Sequence, residues 1–471
     1  MNNKKFIAII LAFIGITMMF FTYQVVITHD SSHYIYLSNA FEGNVSFSEW
    51  DVGRGPVFPA FIRICNILFG KGTNGLLVGM FAFYILMLIG CYLIYKETIK
   101  NDENLGRKMK YFLGLLFTFL IVLNPMIIGY YHTLLTEFIA ITLAVIGCYL
   151  SWKWMNTNFM ENKLKYVLYT IVLAILTAIS WELKQPNIST IFFPILIAAI
   201  ISLIRNANWK NLLQRTITIL SCIIILLIST KVWNVILEKN GVDMNADRSS
   251  SGFISNGILS GLDGYDTRTN VISTGEAVQY LFNRISKDPF GVLGKYVKNY
   301  LATISILNIE FDGMKIIIND KIDTVNTVEI GGIAYKIYEY GVECVFPLVE
   351  KYAPYANDYR IVNKPIVAIN WVMRELVSID SIIMKLSYLA LPILSIISII
   401  QVFRSKKRYN EKYNKIIDII AILFLYSFLS IIMYAFLGST IDRYTMPSLV
   451  TTFMGIILSI YAIVNRKKYK I

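Results

Sequence analysis

Apolar residues fall along this chain in blocks separated by short polar connections. A helix that crosses a hydrocarbon core about 30 Å thick needs roughly 20 such residues. Ten blocks qualify: 6–27, 75–95, 111–129, 134–151, 166–181, 188–204, 216–234, 382–403, 416–437 and 445–464. The pattern predicts an all-α polytopic membrane protein of about ten transmembrane helices. Two stretches depart from it. Within the connection 28–74, residues 57–69 are apolar but too few to cross, so they are expected to lie along the interface. Residues 235–380 form one long segment. It opens with a Ser/Asn/Gly-rich loop (240–266) and continues as an amphipathic helical pattern (276–307) interrupted at Pro289. A β-branched and Gly-rich stretch (316–333) has the composition of a short hairpin, and 364–377 reads as helix again. The expected organisation is an N-terminal transmembrane module, 1–234, with its first outer loop at 28–74. A small mixed α/β extracytoplasmic segment, 235–380, and C-terminal transmembrane helices, 381–471, follow. No repeat of 20–50 residues and no low-complexity tract is visible.

Composition agrees: 56% of residues are hydrophobic and 16% charged, against about 45–50% and 25% in soluble domains. That excludes an ordinary soluble enzyme, a disordered chain and a small disulfide scaffold. The net charge of +13 would suggest nucleic acid until the cations are located. With the N-terminus inside, the inner stretches hold 23 Lys and Arg, whereas the short outer connections hold Arg54, Arg63, Lys71, Lys184 and Arg443. The long segment has 14 more, outnumbered by 18 acids. Basic residues are retained on the cytoplasmic side, so both termini are expected there, in a plasma membrane, and a nucleic-acid partner is not. The first apolar block follows Lys4 and Lys5, exceeds a signal-peptide core and lacks a small-residue cleavage pattern, which reads as an uncleaved span. The five cysteines show neither metal spacing nor a disulfide framework; only a Cys65–Cys344 bridge is left open.

Ionisable groups beside spans are functional candidates, and here they gather on the expected outer face. Asp30 follows the first span and suits either a general base or a helix cap. Glu137 opens an apolar helix, as a site residue or as a partner of the helix dipole. Lys184 and Arg443 run against the orientation bias, and a phosphate to bind would explain both; Lys184 has Glu182 and Glu137 as alternative partners. Arg54 lies in the Gly-rich turn Asp51-Val52-Gly53-Arg54-Gly55-Pro56, either to bind substrate or to sit at the headgroups. His29 and His33 share a helical face, and with His132 and Glu137 they permit a divalent metal, although no ligand-rich motif surrounds them.

Four stretches carry a resemblance: HDSSHYIYLSNAFEGN, DVGRGPVFPAFIRICNILFG, LLTEFIAITLAVIG and STIDRYTMPSLVTTFMGIIL. Their order and topology resemble the GT-C superfamily of membrane glycosyltransferases, which includes bacterial relatives of protein O-mannosyltransferase and of the lipid A aminoarabinose transferase. The segment ISKDPFGVLGKYVKNY is also similar to a helix that precedes the later spans in bacterial members. The likeness covers the first 150 residues and the last 30; for 301–380 there is none. One departure is that His29 stands before Asp30, where some relatives have two adjacent acids.

The resemblance implies transfer of a sugar from a polyprenyl-phosphate carrier to a cell-envelope glycan, lipid or protein acceptor at the outer face, with no cofactor required. It implies Asp30 as general base in an inverting displacement, with Glu137 in support, and Lys184, Arg443 and Arg54 on the donor phosphate. His29, His33, Tyr34, His132 and Tyr444 complete the expected substrate contacts. Trp50, Tyr34, Tyr131 and Trp181 are placed to stack on the sugar or to form an interfacial belt. Two other readings stand beside this one. A transporter or flippase for a lipid-linked or charged solute calls for charges at mid-membrane and for paired broken spans, which the sequence lacks. A scaffold protein leaves the outer charges without a role.

Overall fold

The computed structural model describes the chain apart from residues 1–2, 24, 26, 28, 101–104, 245–249, 264–272, 305–325, 331–332, 338–354, 356–366, 407, 438–441 and 471. Helix α1 (Asn3–Phe20) leads into α2 (His29–Ser38), α3 (Val57–Phe69) and α4 (Thr73–Tyr95). Next come α5 (Arg107–Phe117), α6 (Pro125–Tyr130), α7 (Glu137–Met155), α8 (Lys163–Leu183), α9 (Ser189–Arg205) and α10 (Trp209–Lys239). The long segment supplies α11 (Ser250–Asp263), α12 (Thr274–Lys287), α13 (Pro289–Thr303) and a hairpin of β1 (Asn326–Ile330) and β2 (Ile333–Ile337). The chain closes with α14 (Val367–Ser405), α15 (Glu411–Phe436) and α16 (Met446–Asn465). Among the described residues nine stretches are long and apolar enough to cross a membrane, Arg107–Tyr130 among them, and Leu11–Phe20 of α1 is a shorter apolar helix. The protein is an all-α polytopic membrane protein, and helix covers most of every expected block.

Several boundaries differ for local reasons. The block 111–129 is interrupted: the Asn124 side chain accepts the Ile127 amide at 2.9 Å, and Pro125 opens α6 as a new helix. The helix expected at 364–377 is continuous with the following span, so α14 runs unbroken through residue 380. The hairpin lies further along than expected, with Val328 opposite Tyr335 in antiparallel register; residues 316–325 lie outside the described residues. The break at Pro289 falls where expected, with the Asp288 carboxylate accepting the Gly291 amide at 2.8 Å.

Burial identifies the centre of the bundle. In α7 78% of the apolar window is buried, against 6% in α10. Helix α7 packs against α4, α9, α15 and α16. A Cβ at Gly147 would lie 2.5 Å from the Thr190 carbonyl oxygen, so α7 and α9 meet backbone to backbone. Outermost α10 presents Ile217, Leu220, Ile224, Leu227 and Ile228 to the surroundings, as a lipid-facing helix must. Its 31 residues span about 46 Å at 1.5 Å per residue. Helix α3 buries Phe58, Ile62 and Cys65 and exposes Ile64, Ile67 and Leu68, the division expected of a helix lying at an interface. Cys65, Cys91, Cys148 and Cys222 are buried free thiols; Cys344 lies outside the described residues.

Candidate active site

The connection after α1 folds over one end of the bundle. Helix α2 begins at His29, which puts Asp30 in its first turn, where the helix dipole favours a carboxylate. The Ser31 hydroxyl donates to the Leu134 carbonyl at 2.7 Å and ties this helix to the approach of α7. The turn carrying Arg54 is held from below. Asp51 accepts the Gly53 amide at 2.9 Å, and the Trp50 indole donates to the Arg54 carbonyl at 2.7 Å. Trp50 is itself buried against Phe41, Phe47 and Trp233.

Arg54 reaches from that turn back to α2. Its Nη2 donates to Asp30 Oδ1 at 2.9 Å and its Nη1 to the Tyr34 hydroxyl at 2.7 Å. The guanidinium carbon lies 4.8 Å from the Tyr34 ring centre. Asp51 Oδ2 stands 3.9 Å from Arg54 Nε and equally far from His33 Nδ1. Burial works against the Arg54 charge, but Tyr34 and Asp30 outweigh it and raise the pKa.

Gly55 joins this turn to the end of α8. A Cβ there would fall 1.8 Å from the Glu182 carbonyl oxygen, so only glycine permits the approach. Glu182 turns its carboxylate to α10, where it accepts from the Ser229 and Thr230 hydroxyls at 3.3 Å. Lys184 turns the other way. Its Nζ lies 3.8 Å from Glu137 Oε1 and donates to the Tyr444 hydroxyl at 3.3 Å, above a ring whose centre is 4.4 Å away. Tyr444 stacks in turn on Tyr434 at 4.9 Å. Glu137, 4% exposed, opens the central helix.

Tyr34 links the two groups. Burial pushes its phenol above the ordinary value; Arg54 and Lys184 pull it down, and Asp30 and Glu137 push it up. Four charges from four separate segments therefore act on one buried hydroxyl. The structure brings together Asp30, Tyr34, Arg54, Glu137, Lys184 and Tyr444, with His33 beside Asp51. His29 lies in the first turn of α2 and Arg443 in the turn Asp442–Thr445, next to Tyr444; their side chains lie outside the described residues.

His132 is placed differently. It is fully buried, with Nδ1 2.7 Å from the Ile128 carbonyl and Nε2 2.8 Å from the Phe20 carbonyl. Burial lowers its pKa to about 4 despite those carbonyls. The ring bridges α1 and α6 and presents no surface to a substrate. Trp50 and Tyr131 are likewise packed inside, the latter bonded to Thr142 Oγ1 at 2.6 Å. Among the described residues no group of three or more His, Cys, Asp or Glu is close enough to hold a metal ion.

Two acids escaped the sequence reading. Asp51 lies three residues before Arg54, a spacing that could have flagged the pair. Asp380 is 1% exposed, with both carboxylate oxygens lacking a hydrogen-bond partner of ordinary geometry, although the Met126 amide near the start of α6 acts on it. Nothing in the sequence around Asp380 marks it, because the helix that carries it begins well before the apolar block.

Paired acids and cations at a membrane boundary can bind an anion and move a proton in the same place. No protein-family model matches the chain, and no curated protein matches it in sequence. Among solved structures, ArnT from Cupriavidus metallidurans in the apo state matches 97% of this chain and 78% of its own, with 11% identity and a TM-score of 0.38. The same protein bound to undecaprenyl phosphate matches 98% and 78%, at the same identity and TM-score. At that level the two chains share a loose likeness of shape, and no residue role passes from one to the other.

Proposed function

We propose that the protein is a membrane glycosyltransferase that moves a sugar from a polyprenyl-phosphate carrier to an acceptor hydroxyl at the outer face of the plasma membrane. The observation that carries the reading is the pair of polar groups, Asp30 with Arg54 and Tyr34, and Glu137 with Lys184 and Tyr444, brought near each other where Gly55 meets the end of α8. The motif order in the sequence points the same way. A sugar-bearing carrier lipid is apolar along its tail and carries one negative charge on its phosphodiester, gaining a second as the sugar leaves, so it calls for cations at headgroup depth, beside an exposed apolar surface such as that of α3.

In this mechanism Asp30 takes the proton of the acceptor hydroxyl as that oxygen attacks the anomeric carbon. The bond from the anomeric carbon to the phosphate oxygen breaks, its electron pair stays on the carrier phosphate, and the configuration inverts. Lys184 and Arg54, with Arg443 from the neighbouring turn, hold the phosphate and stabilise the charge that develops on it. Arg54 is shared between Asp30 and the donor, so donor binding and base positioning are coupled. Glu137 keeps Lys184 in place and faces the sugar hydroxyls; Tyr34, Tyr444 and His33 line the same site.

The test is release and transfer of labelled sugar by the purified full-length protein from polyprenyl-phosphate donors. Transfer lost in Asp30→Asn and retained in the parent supports the reading. Solute movement across liposomes with no sugar released from any such donor would replace it with a transporter.

A further inference from the structure

A second polar site occupies the opposite end of the bundle. A cavity of about 360 Å³ opens there between the ends of α7, α9, α10 and α15. Arg205, Lys210, Arg215 and Asp418 are its charged lining residues. Arg205 is fully engaged: Nη2 lies 2.6 Å and Nε 2.9 Å from Asp418 Oδ1, with further bonds to Ser405 and to the Val402 carbonyl. Among the described residues no acid pairs with Arg215. It is 5% exposed and stacks 4.5 Å from the Trp154 ring centre. Its acceptors include the Trp154 and Met155 carbonyls at 3.2 and 2.9 Å, Ser202 Oγ at 3.1 Å and Asn211 Oδ1 at 3.0 Å.

A guanidinium has five N–H groups, and these four bonds engage one on each of its three nitrogens, with Nε–H shared. The Tyr166 hydroxyl takes a further bond, and at least one terminal N–H remains, in a side chain that lines the cavity. Three cations against one carboxylate leave the lining two positive charges in excess. Buried cations are ordinarily matched by an anion, and an arginine with a terminal N–H group to offer suits tetrahedral oxygens. Beside the opening, Trp209 is 73% exposed and Leu212 and Leu213 are also exposed, marking the depth where lipid headgroups lie.

We propose that this cavity binds a phosphate group through Arg215 and Lys210, carried either by an anionic lipid headgroup or by a soluble phosphate compound. By the distribution of Lys and Arg this is the cytoplasmic end, so the site is separate from the donor site proposed above and stands without it.

The experiment measures the unfolding midpoint of the full-length protein in phosphatidylcholine nanodiscs, with inorganic phosphate titrated against chloride at constant ionic strength. The measurement is repeated in nanodiscs containing phosphatidylglycerol. A rise with inorganic phosphate identifies a soluble source; a rise only with phosphatidylglycerol identifies the lipid. Either supports the proposal if Lys210→Gln, at an exposed position, weakens the effect about tenfold and Arg215→Gln abolishes it. Should Arg215→Gln fail to fold, Lys210→Gln decides alone. No rise with either probe, or a rise unchanged in the variants that fold, overturns it.

Discussion

Asp30 and Arg54 lie 24 positions apart and are joined by a hydrogen bond of 2.9 Å from Arg54 Nη2 to Asp30 Oδ1. The pair ties the first turn of α2 to the Gly-rich turn before α3, so neither group reaches its position without the other segment. Asp30→Asn keeps the shape and removes the proposed base. We expect sugar transfer to fall at least about 100-fold, the low end of what a general base contributes, while membrane insertion and the size-exclusion profile stay unchanged. Normal transfer by the variant would remove Asp30 from the mechanism.

Gly55 sets the distance between the Arg54 turn and the end of α8. In Gly55→Ala the new methyl would sit 1.8 Å from the Glu182 carbonyl oxygen, so the turn must move. A stability loss of about 1–3 kcal/mol is expected, with transfer activity lost alongside. Gly106→Ala, which meets nothing within 4 Å, serves as the neutral control in the same thermal and activity assays.

Lys184 and Glu137 form the deeper pair. Lys184→Met leaves the Glu137 carboxylate buried without that partner, and a stability cost of about 1–2 kcal/mol follows, reduced by the partial exposure of the lysine. The double variant Lys184→Met/Glu137→Gln should regain most of that stability and none of the activity. Additive losses in a thermal double-mutant cycle would show that the two residues do not interact.

His132 makes stability sensitive to acid. Its folded pKa of about 4 lies below the ordinary 6.5, so between those values the unfolded chain takes up a proton that the folded chain refuses. Stability is therefore complete above about pH 6.5 and declines as the pH falls toward 4. His132→Phe should lose about 1–3 kcal/mol at neutral pH, because the neutral ring's single N–H no longer bonds a backbone carbonyl of Phe20 or Ile128. It should also lose this share of the acid sensitivity; an identical pH profile in parent and variant would contradict the assignment.

The fold was largely legible because a span announces itself through about twenty consecutive apolar residues, a signal that depends on no distant partner. The boundaries that escaped depend on context: Asn124 and Pro125 interrupt a block whose hydropathy is continuous, and α14 absorbs a polar stretch into a spanning helix. The site was legible in part. Asp30, Arg54, Glu137 and Lys184 were conspicuous as charges near apolar blocks, yet their pairing was open, and Lys184 had Glu182 two residues away as a candidate. Three-dimensional packing decided that choice, since Ser229 and Thr230 of α10 draw Glu182 away. His132 shows the opposite case, because a histidine beside an apolar block gives no sign in sequence that both of its nitrogens will face backbone carbonyls inside the protein.

Helix α10 is longer than a bilayer core is thick, and its far end carries Trp233, whose ring centre lies 5.0 Å from that of Trp50. Trp50 in turn holds the Arg54 carbonyl. A thinner or thicker bilayer changes the tilt such a helix adopts, and through Trp233 and Trp50 this helix touches the turn that carries Arg54. If the proposed transfer takes place there, its rate is expected to vary with acyl-chain length, readable as transfer activity across vesicles of graded thickness. An optimum that shifts or flattens in Trp233→Ala would mark α10 as the gauge.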